Sequence, residues 1–285
     1  MYVRNHLPDR GNSFFDNWNN SKILAYWKYD DATKLGKDSH SWLGRLNNIR
    51  TALQGQQGDR RLRLGIAGGE WKKMMADATA RTRFASEVKK IIEQYDFDGV
   101  DFDFEWPANA SEYNNYSATV IQMRSTLGKY VYFTASLHPV SFKISPEAID
   151  ALDFISYQCY GPAVMRFPYE QFVKDGEAAV AYGIPKNKLV MGVPFYGSTG
   201  SLIAAYCDFV NDGLATTNED TYTYKGNTYT FNSIETIRKK ARYVCEEDYA
   251  GIMSWDLATD IDITNNKSLL KVIKEEFEYY ANPTE

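Results

Sequence analysis

Short apolar runs typical of β-strands alternate with longer helix-period stretches along most of this 285-residue chain. The strand-like runs cover residues 23–27, 62–67, 99–105, 131–136, 154–158, 189–194 and 250–255, and 2–4 would add an eighth. The helix-period stretches run roughly over 40–54, 74–95, 110–127, 167–182, 233–246 and 267–280. This alternation predicts parallel strands joined by crossover helices. Eight such units in about 250 residues match a TIM barrel, so we predict a (β/α)8 fold as one domain over 1–285.

An open doubly wound sheet is the competing architecture. That fold normally carries a Gly-rich phosphate loop after its first strand, and no such loop follows the run 23–27. The longest insertion, residues 197–249, contains a hairpin-like segment at 222–230. In a barrel we expect it over the carboxyl ends of the strands, where its Tyr residues would shape one wall of a cleft.

The charge and hydrophobic composition of the chain limit the kinds of molecule that it is expected to bind. A formal net charge of −5 argues against a nucleic-acid backbone as a partner. No run approaches the roughly 18 apolar residues of a membrane span, so we expect no membrane partner. The first residues lack a signal-peptide core, although a signal could have been removed. Aromatic residues make up 15% of the chain, which suits a surface that stacks on the apolar faces of sugars.

The run 99–105 places an acid at every second position, between Val and Phe residues. Side chains alternate between the two faces of a strand, so Asp101, Asp103 and Glu105 share one face, about 7 Å apart. Like charges this close raise one another's pKa, most strongly where water is excluded. In a barrel the three acids would climb the interior, with Glu105 at the carboxyl-terminal rim. The pattern favours proton chemistry over an exposed acidic strand. The histidines (His6, His40 and His138) show no pairing pattern and receive no role.

Residues 98–105 resemble the DGxDxDxE signature of glycoside hydrolase family 18, which comprises chitinases and endo-β-N-acetylglucosaminidases. Other segments resemble the family in order and spacing, from about residue 20 to residue 275. They are 66–69 (its SxGG strand end), 106–107 (its aromatic-Pro pair), 157–158 (its MxYD strand), 189–197 (its seventh strand) and 253–257 (its eighth). The insertion after the seventh strand lacks the bulk of the family's α+β insertion domain, which implies a shallower groove.

The resemblance implies a role for each site residue. Glu105 would be the general acid, and Asp103 would orient the substrate's acetamido N–H and offset positive charge. Asp101 would lie behind Asp103 and tune how the two share a proton. Tyr157 would hydrogen-bond the acetamido oxygen as it attacks the anomeric carbon, and Trp255 would form the floor under the sugar. The reaction would pass through an oxazolinium intermediate with net retention.

Two positions depart from the family pattern. Ile66 replaces a Ser that is often near the innermost Asp, and Gln158 replaces the Asp that follows the catalytic Tyr. The segment Gln158-Cys159-Tyr160 also resembles the Gln-x-Tyr of some endo-β-N-acetylglucosaminidases. In that register Tyr160, and not Tyr157, would hold the acetamido group. The substrate-binding candidates besides Trp255 are Gln158, Tyr160, Tyr196, Tyr26 and Trp106.

The resemblance predicts a secreted or extracellular, monomeric glycosidase whose partner is an N-acetylglucosamine-containing polysaccharide or glycan. Chitin or its oligomers are the expected substrate, and the chitobiose core of N-glycans is the alternative. A chitin-binding lectin on the same barrel remains a rival, although inactive relatives typically lose the Glu that is present here as Glu105. Carboxylates could also bind a metal, but the calcium-loop pattern is absent, so we expect no metal and no cofactor.

Overall fold

The computed structural model describes residues 2–3, 51, 61–67, 71–215 and 218–281. They form two compact units. One contains the described residues up to Ser136 together with Lys143–Asp153, and the other contains Leu137–Phe142 together with the described residues from Phe154 onward. The predicted strand over 23–27, and all but Thr51 of the predicted helix over 40–54, lie outside these ranges. Across the described ranges, no helix combines the length and apolar character needed to cross a bilayer.

The first unit repeats a strand-then-helix pattern. Its elements are β1 (Tyr2–Val3), β2 (Arg63–Ile66), α1 (Trp71–Ala76), α2 (Ala78–Gln94), β3 (Gly99–Phe102), α3 (Ala110–Leu127), β4 (Tyr132–Leu137) and α4 (Pro146–Ala151). Strands β1 to β4 pair in this order, each parallel to the next. Parallel neighbours need a crossover connection, which helices provide between β2 and β3 and between β3 and β4.

Strand β3 packs through its apolar face. The Phe102 ring lies 4.8 Å from that of Phe133 on β4 and 5.9 Å from that of Phe84 on α2. Full burial of such a side chain stabilises the fold by roughly 1.5–3 kcal/mol. Gly99 opens the strand because a Cβ there would lie 1.9 Å from the carbonyl oxygen of Tyr132. These contacts fix β3 tightly between its neighbours.

The second unit contains three parallel strands and an antiparallel insertion. Its elements are β5 (Phe154–Tyr157), α5 (Tyr169–Tyr182), β6 (Leu189–Pro194), β7 (Tyr196–Ser198), β8 (Ile203–Ala205), α6 (Tyr206–Asn211), β9 (Thr221–Tyr224), β10 (Asn227–Thr230), α7 (Ile234–Glu246), β11 (Gly251–Trp255) and α8 (Leu269–Ala281). Strand β6 pairs in parallel with both β5 and β11. The carboxyl ends of these three strands therefore meet at one edge.

The insertion folds as a four-stranded antiparallel sheet in the order β8-β7-β10-β9. The predicted hairpin over 222–230 is confirmed, since β9 and β10 pair in antiparallel register. Phe209 of α6 is fully buried, and its ring lies 5.4 to 5.7 Å from those of Tyr222, Tyr224 and Tyr229. These tyrosines build a small core around Phe209. Their part in a cleft wall stays a prediction.

Candidate active site

The three acids of the signature run from buried to exposed. Strand β3 ends at Phe102, so it is shorter than the predicted strand over 99–105. The Asp103 N–H donates to the Ile66 carbonyl at 2.8 Å, which extends the contact with β2 by one residue. Asp101 is 0% exposed and Asp103 is 3% exposed, whereas Glu105 is exposed. Glu105 therefore belongs to the loop that follows the strand, with its side chain reachable from solvent.

The loop that carries Glu105 is anchored on both sides. Phe104, directly before Glu105, and Pro107, two residues after it, are buried, and Trp106 between Glu105 and Pro107 is half-buried. Helix α3 begins directly afterwards, capped by Asn109, whose side chain accepts the Glu112 N–H at 3.0 Å. The peptide bond between Glu105 and Trp106 is cis. A short connection between a buried strand and a capped helix fixes where Glu105 is displayed.

Asp101 is held by side chains from both neighbouring strands. Ser136 Oγ donates to one carboxylate oxygen at 2.8 Å, and Thr134 Oγ1 donates to the other. Arg63 Nη1 lies 3.5 Å from Asp101 Oδ1 and also donates to Thr134 Oγ1. Ile66, which stands where the family has Ser, is buried. The partners of Asp101 thus come from β4 and from deeper in β2.

Sequence reasoning missed Arg63, Thr134 and Ser136. One signal was available, because Arg63 is the charged residue of the otherwise apolar run 62–67. A lone charge in a buried strand requires a partner. The identity of that partner depended on the register of β2, β3 and β4. Asp98, the first residue of the signature, is structural, since its carboxylate accepts the Leu62 N–H at 2.6 Å.

Tyr157 faces the helices. It pairs in register with Met191 on β6, so both side chains leave the sheet on the same side. The Met191 methyl lies 2.9 Å from where a Cβ on Gly176 of α5 would be. Tyr157 is 0% exposed, and burial raises the pKa of its phenol. Among the described residues, its hydroxyl has no hydrogen-bond partner. Tyr157 is therefore buried on the helix side of the sheet, and its ligand-binding role stays a prediction.

Tyr160 lies on the opposite side. Its hydroxyl donates to Met253 Sδ at 3.6 Å, and Met253 pairs in register with Gly192. A Cβ on Gly192 would lie 2.8 Å from Tyr160 Cε1, so the ring needs a bare backbone beneath it. The Tyr160 and Tyr196 rings lie 6.4 Å apart, edge to face. The segment after β5 and the strands β11 and β7 therefore bring Tyr160, Met253 and Tyr196 into one group.

The other predicted substrate-binding residues are Gln158, Trp255 and Tyr26, and each has a different environment or coverage. Gln158 is buried beside β6, and its N–H donates to the Leu137 carbonyl at 2.8 Å. Trp255 is half-buried at the carboxyl end of β11, and its carbonyl accepts the Phe195 N–H at 2.8 Å. Tyr26 lies outside the described residues.

His138, to which the sequence assigned no role, holds the segment after β5. Its Nε2 lies 2.6 Å from the Gly161 carbonyl and 3.1 Å from the Tyr160 carbonyl, while Nδ1 accepts the Val140 N–H at 3.2 Å. These partners require the neutral tautomer with its proton on Nε2. Burial lowers the pKa of His138, which also favours the neutral ring.

A buried lysine supports the same group of aromatic side chains. Lys240 of α7 is 0% exposed and donates to the Phe167 carbonyl at 2.7 Å and to Asn232 Oδ1 at 2.8 Å. The Phe167 ring packs 5.6 Å from that of Tyr196. Burial lowers the pKa of Lys240 to about 7. The amine therefore changes charge near neutral pH.

The repeated strand–helix order, with acids at the carboxyl end of one parallel strand, is typical of (β/α)8-barrel enzymes. The chain belongs to the glycosyl hydrolases family 18, whose family model matches residues 10–260. The predicted family is thus confirmed.

Individual relatives agree with this assignment. The chain is 23% identical to a protein of Drosophila melanogaster named probable chitinase 2, over 76% of this chain and 60% of that protein, so it spans under two thirds of that relative. A family 18 chitinase structure from Flavobacterium johnsoniae matches with a TM-score of 0.70 and 25% identity, over 81% of this chain and 79% of that one. A chitinase-like agglutinin from Robinia pseudoacacia matches with a TM-score of 0.69 and 18% identity, over 84% and 87%. These likenesses confirm the predicted (β/α)8 fold.

Proposed function

We propose that this protein is a retaining glycosidase that hydrolyses β-1,4 linkages of N-acetylglucosamine polymers, with chitin or chitooligosaccharides as substrate. One observation carries the proposal. An exposed glutamate follows two buried aspartates at alternate positions after a parallel strand. Membership of family 18 supports the same conclusion. We also propose that the protein acts outside the cell, as a monomer.

Glu105 is the general acid in this proposal. It protonates the glycosidic oxygen while the substrate's acetamido carbonyl oxygen attacks the anomeric carbon and the glycosidic bond breaks. The resulting oxazolinium ion is opened by a water molecule that gives a proton back to Glu105, with net retention. Such enzymes are exceptions to the scheme of two catalytic carboxylates. The exposure of Glu105 supports this role because the acid must meet both substrate and water.

The two buried aspartates, Asp103 and Asp101, have electrostatic roles in this proposal. Asp103, next to Glu105 in the alternation, orients the acetamido N–H and offsets the positive charge of the oxazolinium ion. Asp101 lies one step deeper and sets the ionisation of Asp103. The hydroxyls of Thr134 and Ser136 support this division, since they already satisfy Asp101 without a ligand.

We assign the acetamido-binding phenol to Tyr160 instead of Tyr157. The Tyr157 side chain is buried beside Met191 and the helix α5. Tyr160 lies on the opposite side of the strand edge, against Gly192, Met253 and Tyr196. Strand β5 ends at Tyr157, and the Cys159 N–H donates back to the Tyr157 carbonyl at 2.8 Å, so Tyr160 belongs to the turn that follows the strand.

The spacing Gln158-x-Tyr160 favours the chitobiose core of N-glycans as the alternative substrate. Parallel incubation with chitooligosaccharides and with a high-mannose glycoprotein separates the two. We expect shortened chitooligosaccharides and no released glycan. Release of an intact glycan with no chitin products would overturn our choice of substrate.

The alternative from another functional class is a protein that binds carbohydrate and does not cleave it. A chitinase-like agglutinin shares the fold, which supports testing this alternative. The presence of Glu105 favours an enzyme. Product analysis after prolonged incubation decides between the two, because a lectin would retain chitooligosaccharides without shortening them. Chelation with EDTA should leave hydrolysis unchanged, whereas a metal-dependent hydrolase would lose activity.

A further inference from the structure

Arg63 lies on the same side of the sheet as the acids. It pairs in register with Gly99, and Gly65 pairs with Asp101, so Arg63 and Asp101 leave β2 and β3 on one face. The Arg63 side chain is nearly as buried as Asp101, and their closest charged atoms are 3.5 Å apart. Gly65 has no side chain, which leaves room for the guanidinium to reach Asp101.

The hydrogen bonds around Asp101 have a fixed direction. A guanidinium can only donate, so Thr134 Oγ1 accepts from Arg63, and the nearest acceptor for its own proton is Asp101 Oδ1, ahead of the Val100 carbonyl oxygen at 3.5 Å. Ser136 Oγ donates to the second oxygen of Asp101 at 2.8 Å. Both oxygens of Asp101 are therefore acceptors, which is the arrangement of a carboxylate. Arginine remains charged at all accessible pH values, so it is a permanent counter-ion.

We propose that Arg63 is a positioning residue: it cancels the charge of Asp101, so that Asp103, the next acid along the strand, is itself ionised when it faces the oxazolinium ion. This inference rests on the proposed function. Without a counter-ion, two neighbouring carboxylates in a dry interior repel each other, and Asp103 ionises only at higher pH. Arg63 removes that repulsion.

Besides Asp103, Tyr116 of α3 is a titratable group near the pair. Its phenol is fully buried, and its pKa is raised by burial and then by Asp101 and Asp103. Tyr116 therefore stays neutral and does not replace the cation. From β4 the hydroxyls of Thr134 and Ser136 reach Asp101. Arg63 is thus the positive charge that we assign to this pair.

The first test is the pH profile of kcat/KM on a chitooligosaccharide for Arg63→Met and Arg63→Lys. Loss of a nearby opposite charge raises a carboxyl pKa by about one to three units. We therefore expect the acidic limb of the profile to move up by at least about one pH unit in Arg63→Met, which is a tenfold loss of kcat/KM below the limb. Arg63→Lys should keep the limb near its original position.

Arg124→Met is the matched control. Arg124 pairs with Asp153 at 2.7 Å in the same unit, on the far side of β4 from the acids. This substitution should lower stability without moving the limb. A folded Arg63→Met variant with an unmoved limb would overturn the inference and leave the proposed function intact.

A second measurement does not depend on activity. Urea unfolding is compared for Arg63→Met, Asp101→Asn and the double variant. A buried ion pair predicts that the double variant unfolds at higher urea concentration than Arg63→Met alone, because removing the unpaired charge relieves its burial. Strictly additive losses would overturn the inference. If the unsubstituted protein cleaves no chitooligosaccharide, the proposed function fails, and this comparison still decides whether Arg63 neutralises Asp101.

Discussion

The segments after β3 and after β5 are held in different ways. Asp101, at the end of β3, is fixed by a guanidinium and two hydroxyls, which act on its charge. Tyr160, after β5, is fixed through its backbone, since the His138 ring contacts the Tyr160 and Gly161 carbonyls. The contacts of Asp101 need the charged Arg63 guanidinium, whereas the contacts of the Tyr160 backbone need the neutral His138 imidazole. The two segments should therefore respond differently to mutation and to pH.

Glu105→Gln should have the largest effect on turnover, because it removes the proton that Glu105 is proposed to transfer to the glycosidic oxygen. We expect kcat to fall by about 10²–10⁴-fold, the usual contribution of a general acid. Affinity for chitooligosaccharides should be largely retained, measured by calorimetry beside a product assay. Glu93→Gln is the control, since Glu93 is an exposed acid on α2. Full activity in Glu105→Gln would refute the assigned acid.

Tyr160→Phe and Tyr157→Phe form a matched pair that tests the second segment. Loss of a hydrogen-bond donor to a developing charge costs about 10²–10³-fold in kcat at most, so we expect Tyr160→Phe to lose roughly 10–10²-fold. Tyr157→Phe should keep its activity, because its hydroxyl is buried without a partner among the described residues. It should be at least as stable as the parent in thermal unfolding. The reverse pattern would restore the Tyr157 assignment.

His138→Gln tests whether the segment after β5 depends on a neutral imidazole, through the pH dependence of stability. Burial lowers the pKa of His138 in the folded state, so the unfolded chain binds the proton more readily. The stability that neutral His138 contributes is present above about pH 6.5 and is lost as pH falls through the lowered folded-state value. Urea midpoints measured from pH 7.5 to 5 should therefore fall less steeply in His138→Gln. Parallel curves for the two proteins would contradict the neutral, loop-holding role.

Lys240→Met should have the smallest effect on turnover and should be visible mainly in how the free energy of unfolding changes with pH. The pKa of Lys240 is about 7 when folded, against about 10.4 in an unfolded chain. Between these values the unfolded chain binds more protons, so stability should rise with pH by up to about 1.4 kcal/mol per unit. Unfolding free energies from pH 7 to 9 should show that rise in the parent and lose it in Lys240→Met. An unchanged slope would mean that another group titrates there.

The sequence predicted the two strand faces at β3 because its alternation is regular there. Acids and apolar residues take turns from Val100 to Glu105, and the buried phenylalanines confirm that pattern. At β5 the sequence offered two tyrosines, Tyr157 and Tyr160, on opposite faces. Choosing between them required the register with Met191, which alternation does not reveal. Arg63 and His138 stayed hidden for the same reason, since their partners come from other strands and loops.

Gly192 has a consequence for how this family could change function. A single methyl group added there would meet the Tyr160 ring at 2.8 Å and the Tyr157 carbonyl oxygen at 2.6 Å. Those distances are too short for a real Cβ, so the phenol would have to leave its place while every residue of the acidic signature stayed intact. A chain altered in this way would still be recognised by its motif as a hydrolase. On the role proposed for Tyr160, its turnover of a sugar would nevertheless be lost at a residue that carries no functional group.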